Sequence, residues 1–392
     1  MAVTQISLEA PPSTCAQSRL LFTLYAMPSP TCIRTVEIEP LDIPLFAPFG
    51  ISGGAQAMAN NVLLCVELVD GTRGYGEAAP LPPYNGETQD EALAALRGAA
   101  GWLVGREVRS WREVAAEFHR RGGAKSGSAQ CALETALLDA VTRHDRRPLW
   151  KFFGQELSPR AEAAVTDLET DMTVTTGSVA EAAAAARAIR QRGIRMIKVK
   201  VGGSSDDLTR IAAIHEVAPD SPLILDANAG LTRAAASELV RGLRARNIAP
   251  ALLEQWLPKD DLAGMRALRI ESGWLVAADE SVTTAAEARQ VAQAGAAQVI
   301  NIKLMKAGVA AALEIVAVAR AEGLGLMIGG NVESILAMTM SACFAAGLGG
   351  FQFADLDTPL FLASNPFDGG YALDGGRISV AHITAGHGVV PK

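Results

Sequence analysis

The sequence predicts an α/β protein: a closed (β/α) barrel preceded by a smaller α+β unit. Three observations carry this. From about residue 170 a short apolar run ending in a polar residue alternates with an alanine-rich helical segment. The polar ends recur at a nearly constant interval: Lys200 to Asp226 is 26 residues, then 28 to Glu254, 25 to Asp279, 24 to Lys303, 27 to Gly330 and 25 to Asp355. The region before residue 155 has a different grammar, built on hairpin signals. Eight strand-helix units of such length predict a parallel barrel. An open doubly wound sheet is the alternative, but no glycine-rich fingerprint follows the first strand.

The first 32 residues are irregular. They contain "APPSTC", "MPSPTC" and the apolar "LLFTLYA" at 20–26, with one arginine before it and no convincing small-residue cleavage site. A disordered or loosely docked extension is expected there in preference to a secretory signal. Residues 33–155 form the α+β unit. "IRTVEIEPLDIPL" (33–45) supplies one strand, and "VLLCVELVDGTRGYGEAAP" (62–80) reads as strand, Asp-Gly turn and strand. Helical stretches follow, ending in "SAQCALETALLDAVTRHDRRPLWKFFG".

Residues 156–354 hold the barrel. Its strand candidates are "DMTV", "MIKVK", "LILDAN", "ALLEQW", "LVAADE", "VINIK", "LMIGGN" and "FQFAD". They are short, β-rich and apolar, as strands of a covered parallel sheet should be. Ser178 with Glu181 three residues on reads as a helix N-terminus, and Gly193 and Gly323 stand where helices should stop. Residues 355–392 leave the rhythm, and this glycine-rich segment with "GRISV" is expected to pack back on the first unit.

Composition narrows the function. A formal net charge of −7 with no basic stripe argues against nucleic acid. No apolar run approaches the length of a membrane span. The scattered Cys15, Cys32, Cys65, Cys131 and Cys343 suggest reduced thiols and a cytoplasmic location. Five dispersed histidines make a zinc cluster a poor reading, so a metal would be held by carboxylates, which favours a hard cation such as Mg²⁺.

The stretch "IKVKVG" (197–202) points to the site. In a strand, Ile197, Val199 and Val201 face one way and Lys198 and Lys200 the other. Lysine often protects an edge strand, but a closed barrel has no edges, so both lysines face the barrel interior. Asp226, Glu254 and Asp279 close the next three strands. Each alone reads equally well as a helix N-cap. Together at one mouth they would repel unless a cation sits between them. Lys200 and Lys303 lie across the barrel from each other and would flank that cation. The cation and Lys198 are expected to depress the Lys200 pKa, so that its amine can take a proton.

At this point "KVK", "LDAN", "LLEQWLP", "AADES" and "NIKLMKAGV" resemble the enolase superfamily, muconate-lactonizing subgroup, over nearly the whole chain from about residue 33. The resemblance implies a (β/α)₇β TIM-like barrel with an N-terminal capping domain. It also implies that Asp226, Glu254 and Asp279 ligate Mg²⁺ and that Lys200 and Lys303 are the acid/base pair. Lys198 would then help neutralise a substrate carboxylate. Lysine bases with Mg²⁺ stabilising an ene-diolate are a general description of that superfamily, carried over here and not deduced.

Within the subgroup, "FADLDTPLFL" (353–362) discriminates. Asp355 and Asp357 share a strand face, and this D-x-D is similar to that of dipeptide epimerases, where the pair holds the substrate's α-ammonium. A capped strand end plus a surface acid is the bland alternative. The stretch "PFGISGGAQAMANN" (48–61) is expected to be the flexible loop over the substrate. It has no cation, which favours a neutral or apolar substrate side chain over glutamate. Asn331 in "IGGNVES" either touches the dipeptide or caps the next helix.

The expected activity is therefore Mg²⁺-dependent epimerisation of a dipeptide at the α-carbon of its C-terminal residue, by a homo-oligomer. An N-acyl (N-succinyl) amino acid racemase or o-succinylbenzoate synthase of the same subgroup is the alternative. A catalytically dead binding barrel is disfavoured because all five metal and base positions hold competent residues.

Overall fold

Two layers of apolar residues, one inside and one outside a ring of parallel strands, organise the computed structural model, which describes residues 29–51, 54–157, 165–202 and 206–392. Residues 1–28, including "LLFTLYA", lie outside the described residues. No helix among the described residues is long and apolar enough to cross a membrane.

The capping unit opens with an antiparallel sheet of β1 (Ile33–Ile51), β2 (Gly54–Leu68) and β3 (Arg73–Ala78), in that order. The Asp-Gly signal is a tight turn here: Leu68 N donates to Thr72 O, and Gly71 takes φ 87°. Helices α1 (Pro82–Asn85), α2 (Gln89–Leu103), α3 (Trp111–Arg120), α4 (Gly127–His144) and α5 (Leu149–Phe152) follow. Residues 48–61 differ from expectation. A flexible loop is expected there, whereas its described residues belong to β1 and β2, with Phe49 opposite Gln56 and Gly50 opposite Ala55. Residues 52 and 53 lie outside the described residues.

After β4 (Asp167–Glu169) the barrel begins. Its strands are β5 (Met172–Val174), β6 (Ile197–Lys200), β7 (Leu223–Asp226), β8 (Leu252–Glu254), β9 (Val276–Ala278), β10 (Val299–Lys303), β11 (Gly325–Gly329) and β12 (Phe351–Ala354). They pair in parallel with their sequence neighbours throughout. Thr170, which bridges to Ala354, and Asp171 N, which donates to Ala354 O at 2.9 Å, join the last strand to the first.

Among the described residues seven helices connect the strands: α6 (Val179–Gln191), α7 (Asp207–Val217), α8 (Arg233–Ala245), α9 (Leu262–Ser272), α10 (Ala285–Ala294), α11 (Gly308–Ala321) and α12 (Ile335–Leu348). Ser178 and Glu181 form a reciprocal capping box at the start of α6. Gly193 and Gly323 take φ 83° and 69° just past α6 and α11, which favours glycine at these helix ends.

Helix α12 is buried along nearly its whole length. Its N-terminus is capped from the other unit: Glu77 of β3 accepts from Ser334 N at 2.9 Å and Ala337 N at 3.1 Å. A carboxylate there meets the positive end of the helix dipole and fixes the capping sheet to the barrel. The C-terminal segment adds β13 (Phe367–Gly369), β14 (Ala372–Asp374), β15 (Arg377–Ser379) and β16 (Val389–Pro391). It touches both units. β15 pairs with β4, and buried His387 donates its backbone N–H to Asp139 of α4 at 2.9 Å.

Strand β3 packs directly on α4 because Gly76 has no side chain. A methyl group there would collide with the Ala132 carbonyl oxygen. Gly76→Ala should therefore destabilise the protein by about 1–3 kcal/mol or more, read as a lowered midpoint in thermal unfolding.

Candidate active site

Four successive barrel strands, β7 to β10, repeat one small pattern. An inward apolar residue comes first, and a polar residue follows two positions later on the same face. Ile224, Leu252, Ala277, Val299 and Met327 form a buried apolar floor. Two residues on stand Asp226, Glu254, Asp279 and Asn301, and Gly329 follows Met327. The intervening Leu223, Leu225, Leu253, Val276, Ala278, Ile300 and Ile302 belong to the outer core under the helices. A charged layer thus sits on an oily one at the C-terminal ends of the strands, where barrels carry their sites.

The structure brings the predicted residues into this layer. Lys200 Nζ donates to Asp226 Oδ2 at 2.6 Å and Asn228 Oδ1 at 3.2 Å. Across the barrel, Lys303 Nζ lies 2.8 Å from Asp279 Oδ2. Lys198, 1% exposed, places its Nζ 3.0 Å from Asp226 Oδ2, 2.8 Å from Glu254 Oε2 and 2.6 Å from Asp355 Oδ2. Its partners here are carboxylates of the protein. Just beyond the acids the backbone turns sharply: Asn228 and Gln255 take φ 43° and 38°, and Asn228 N donates to Asp226 Oδ1 at 2.9 Å. Such left-handed turns at non-glycine residues are strained and concentrate at functional sites.

The charges reshape one another. Burial opposes ionisation of Asp226, but Lys198, Lys200 and Lys303 override it and hold the carboxyl well below the usual range. Burial likewise opposes ionisation of Asp279, and Lys303 and Lys306 hold it down at about 2. Glu254 goes the other way: burial, and then Asp226, push it up to about 7. Burial disfavours the Lys198 ammonium, yet Asp226, Asp355 and Glu254 raise its pKa well above the ordinary lysine value.

These residues fit a hard divalent cation. All three donors are carboxylates on adjacent strands, and Glu254 Oε2 and Asp279 Oδ2 are buried without a hydrogen bond, although ammonium groups lie 2.8 Å away. Lys198 bridges Asp226 and Glu254, and Lys303 lies against Asp279. Among the described residues, the acids whose oxygens all lie within 4.8 Å of one another are Asp171, Asp355 and Asp357. Asp357 Oδ2 accepts from Thr173 N at 2.6 Å, and burial followed by Asp355 pushes this carboxyl up to about 7.

The capping unit roofs the site. Phe49, Leu81 and Tyr84 line the same cleft as Lys200, Lys303 and Asp355. Lys303 Nζ lies 4.6 Å from the Tyr84 ring centroid, within cation–π range. Asn331 lines the cleft too, and its Nδ2 donates to Ala79 O at 2.9 Å, while Ser334 caps α12. Asn331 is therefore a tie to the capping unit, not a helix cap. A second cleft, between α2 and α3 and lined by Ala94, Gly98, Trp102 and Phe118, contains none of these groups.

Four residues of the site were not singled out by the sequence reading. Tyr84 comes from the other unit, and no barrel spacing points to it. Lys306, whose Nζ donates to Asp279 O at 2.8 Å, stands in the quoted "NIKLMKAGV" but off the strand. Asn228 follows Asp226 in "LDAN". Asp171 opens "DMTV" and looked like a strand start.

Comparison with known proteins agrees with this architecture. Residues 33–154 match the mandelate racemase / muconate lactonizing enzyme N-terminal domain, and residues 180–392 match the enolase C-terminal domain-like family. An aromatic dipeptide epimerase from Herpetosiphon aurantiacus is 50% identical over 92% of this chain and 99% of its own. A hydrophobic dipeptide epimerase from Citrifermentans bemidjiense is 40% identical over 89% and 95%. A dipeptide epimerase from Enterococcus faecalis, solved with Mg and L-Leu-L-Tyr, superposes with a TM-score of 0.85 at 28% identity, covering 91% of this chain and 99% of that one.

A cation bound by this layer should stabilise the fold. At about a hundredfold excess over its Kd, Mg²⁺ should add roughly 2.7 kcal/mol, seen as a higher unfolding temperature and reversed by a chelator. Asp226→Asn should abolish the Mg²⁺-dependent rise.

Proposed function

This chain belongs to the enolase superfamily, in its mandelate racemase and muconate-lactonizing enzyme branch, and from that premise we propose that this isomerase epimerises dipeptides at the α-carbon of the C-terminal residue, which carries a neutral or apolar side chain. The observation that carries the reading is the cleft itself, which joins two opposed lysines, Lys200 and Lys303, to the carboxylate of Asp355. Opposed bases suit removal of a proton from one face of a carbon and its return to the other. A carboxylate in the same cleft suits a substrate that brings its own cation.

Asp226, Glu254 and Asp279 would hold Mg²⁺, which when bound supplies a Lewis acid that offsets the second negative charge developing on the substrate carboxylate. The chain's own residues do the rest. One lysine takes the α-proton as a neutral amine, and the lysine opposite delivers a proton as an ammonium. Asp355 and Asp357 accept hydrogen bonds from the dipeptide's α-ammonium and so orient the α-carbon between the lysines. Phe49 and Leu81 give the cleft an apolar wall, and Phe49 is braced edge-on by Phe361 at 5.3 Å between ring centroids. No Lys, Arg or His occurs in residues 48–61 to meet an acidic substrate side chain. The aromatic and hydrophobic specificities of the relatives named above are in line with that wall.

The two lysines should be stereochemically distinct. Replacing either by alanine should abolish net epimerisation, while the surviving lysine exchanges the α-proton of the one epimer it faces in D₂O. Near wild-type epimerisation by both single variants would refute the two-base assignment. N-acetylating the dipeptide removes the charge that meets Asp355 and Asp357. The loss of one charge-assisted hydrogen bond is about 1.5–3 kcal/mol, and stranding the carboxylates adds to it, so kcat/KM should fall at least roughly a hundredfold. A preference for the acetylated substrate would instead identify an N-acylamino acid racemase.

A further inference from the structure

Three carboxylates, not two, converge where the α-ammonium is placed. Asp171, 0% exposed, precedes β5 and faces the barrel interior two residues before Thr173, which lines the cleft. The seam of the barrel brings it beside the D-x-D pair, because Asp171 N donates to Ala354 O at 2.9 Å. We propose that Asp171 is a third acceptor for the substrate's α-ammonium, making the site selective for a primary ammonium with three N–H bonds. This rests on the dipeptide reading given above.

The distances suit that ligand. One oxygen from each of Asp171, Asp355 and Asp357 lies within 4.8 Å of the other two. Even at that upper limit a nitrogen centred among the three oxygens is only about 2.8 Å from each, so one ammonium can reach all three with N–H···O bonds. The oxygens are also waiting for donors. Asp171 Oδ1, Asp171 Oδ2 and Asp357 Oδ1 are buried without a hydrogen bond, whereas Asp357 Oδ2 is taken by Thr173 N and Asp355 Oδ2 by Lys198. Buried acceptors left unmet are costly, so a site that holds several is built for a donor that arrives with the ligand. Burial, and then Asp355 and Asp357, push the Asp171 carboxyl well above its ordinary value. An ammonium at the centre of the triangle would offset that repulsion.

A primary ammonium has three N–H bonds for three carboxylates. N-methylation keeps the charge but replaces one N–H with a methyl group that must face a buried carboxylate. The contrast is therefore between L-Ala-L-Phe and N-methyl-L-Ala-L-Phe, each assayed on the wild type, Asp171→Asn and Asp171→Ala.

The wild type should favour the primary ammonium by roughly 10- to 100-fold in kcat/KM, the range for one charge-assisted hydrogen bond. Asp171→Ala should lose about that factor on L-Ala-L-Phe, mostly through KM. Its preference should collapse, because the methyl group fills the space the carboxylate left. Asp171→Asn, nearly isosteric, should fall between the two. A primary-to-N-methyl ratio unchanged in Asp171→Ala overturns the role of Asp171 while the dipeptide reading stands. If neither variant folds, judged by circular dichroism, a wild type that treats both substrates alike overturns it as well. A wild type inactive on free dipeptides but active on N-acylamino acids overturns both readings.

Discussion

The buried ammonium of Lys198 is the interaction on which the rest of the site depends. It contacts Asp226, Glu254 and Asp355 at 2.6–3.0 Å and so ties β6 to β7, β8 and the end of β12. An isolated ammonium in such a place would cost several kcal/mol, and so would each of the carboxylates. Neither sign can be removed without stranding the other, which makes the layer an all-or-nothing arrangement. It also couples two halves of the proposed chemistry, because one lysine contacts both the acids suited to a cation and an acid suited to the substrate's ammonium.

That coupling explains why the carboxyls diverge so widely. Asp226 and Asp279 have two or more ammonium neighbours each and stay ionised. Glu254 and Asp357 are pushed up to about 7, first by burial and then by a neighbouring acid, Asp226 for the one and Asp355 for the other. Acids of one kind in one layer thus take different charge states, which is how a site becomes ready for cations that arrive with a metal or a substrate.

The two units divide the work. The barrel supplies the charged groups on rigid strand ends, and the capping unit supplies aromatic and apolar walls through Phe49, Leu81 and Tyr84. Their relative placement is set by specific contacts, with Glu77 capping α12 and Asn331 bonded to Ala79 O. Phe49 and Leu81 give the roof its apolar wall, while Tyr84 reaches down to Lys303 in the charged layer.

The sequence by itself determined the barrel, its strand ends and the ring of charges, because period-two alternation and a 24–28-residue repeat are local properties of the chain. Lys198, Lys200, Asp226, Glu254, Asp279, Lys303 and Asp355 were legible that way, whereas Asp357 and the roles of the set came from the resemblance to a known family. Only the tertiary structure decided what depends on closure and docking. The stagger at the seam brings Asp171 beside Asp355 and Asp357, almost two hundred positions later in the chain. Docking of the capping unit sets Tyr84 over Lys303, and strand pairing within that unit places Phe49 opposite Gln56 in the stretch expected to be a loop. The fate of the lysines belonged to it too: periodicity shows which way Lys198 points, but which acids it meets depends on three other strands closing around it.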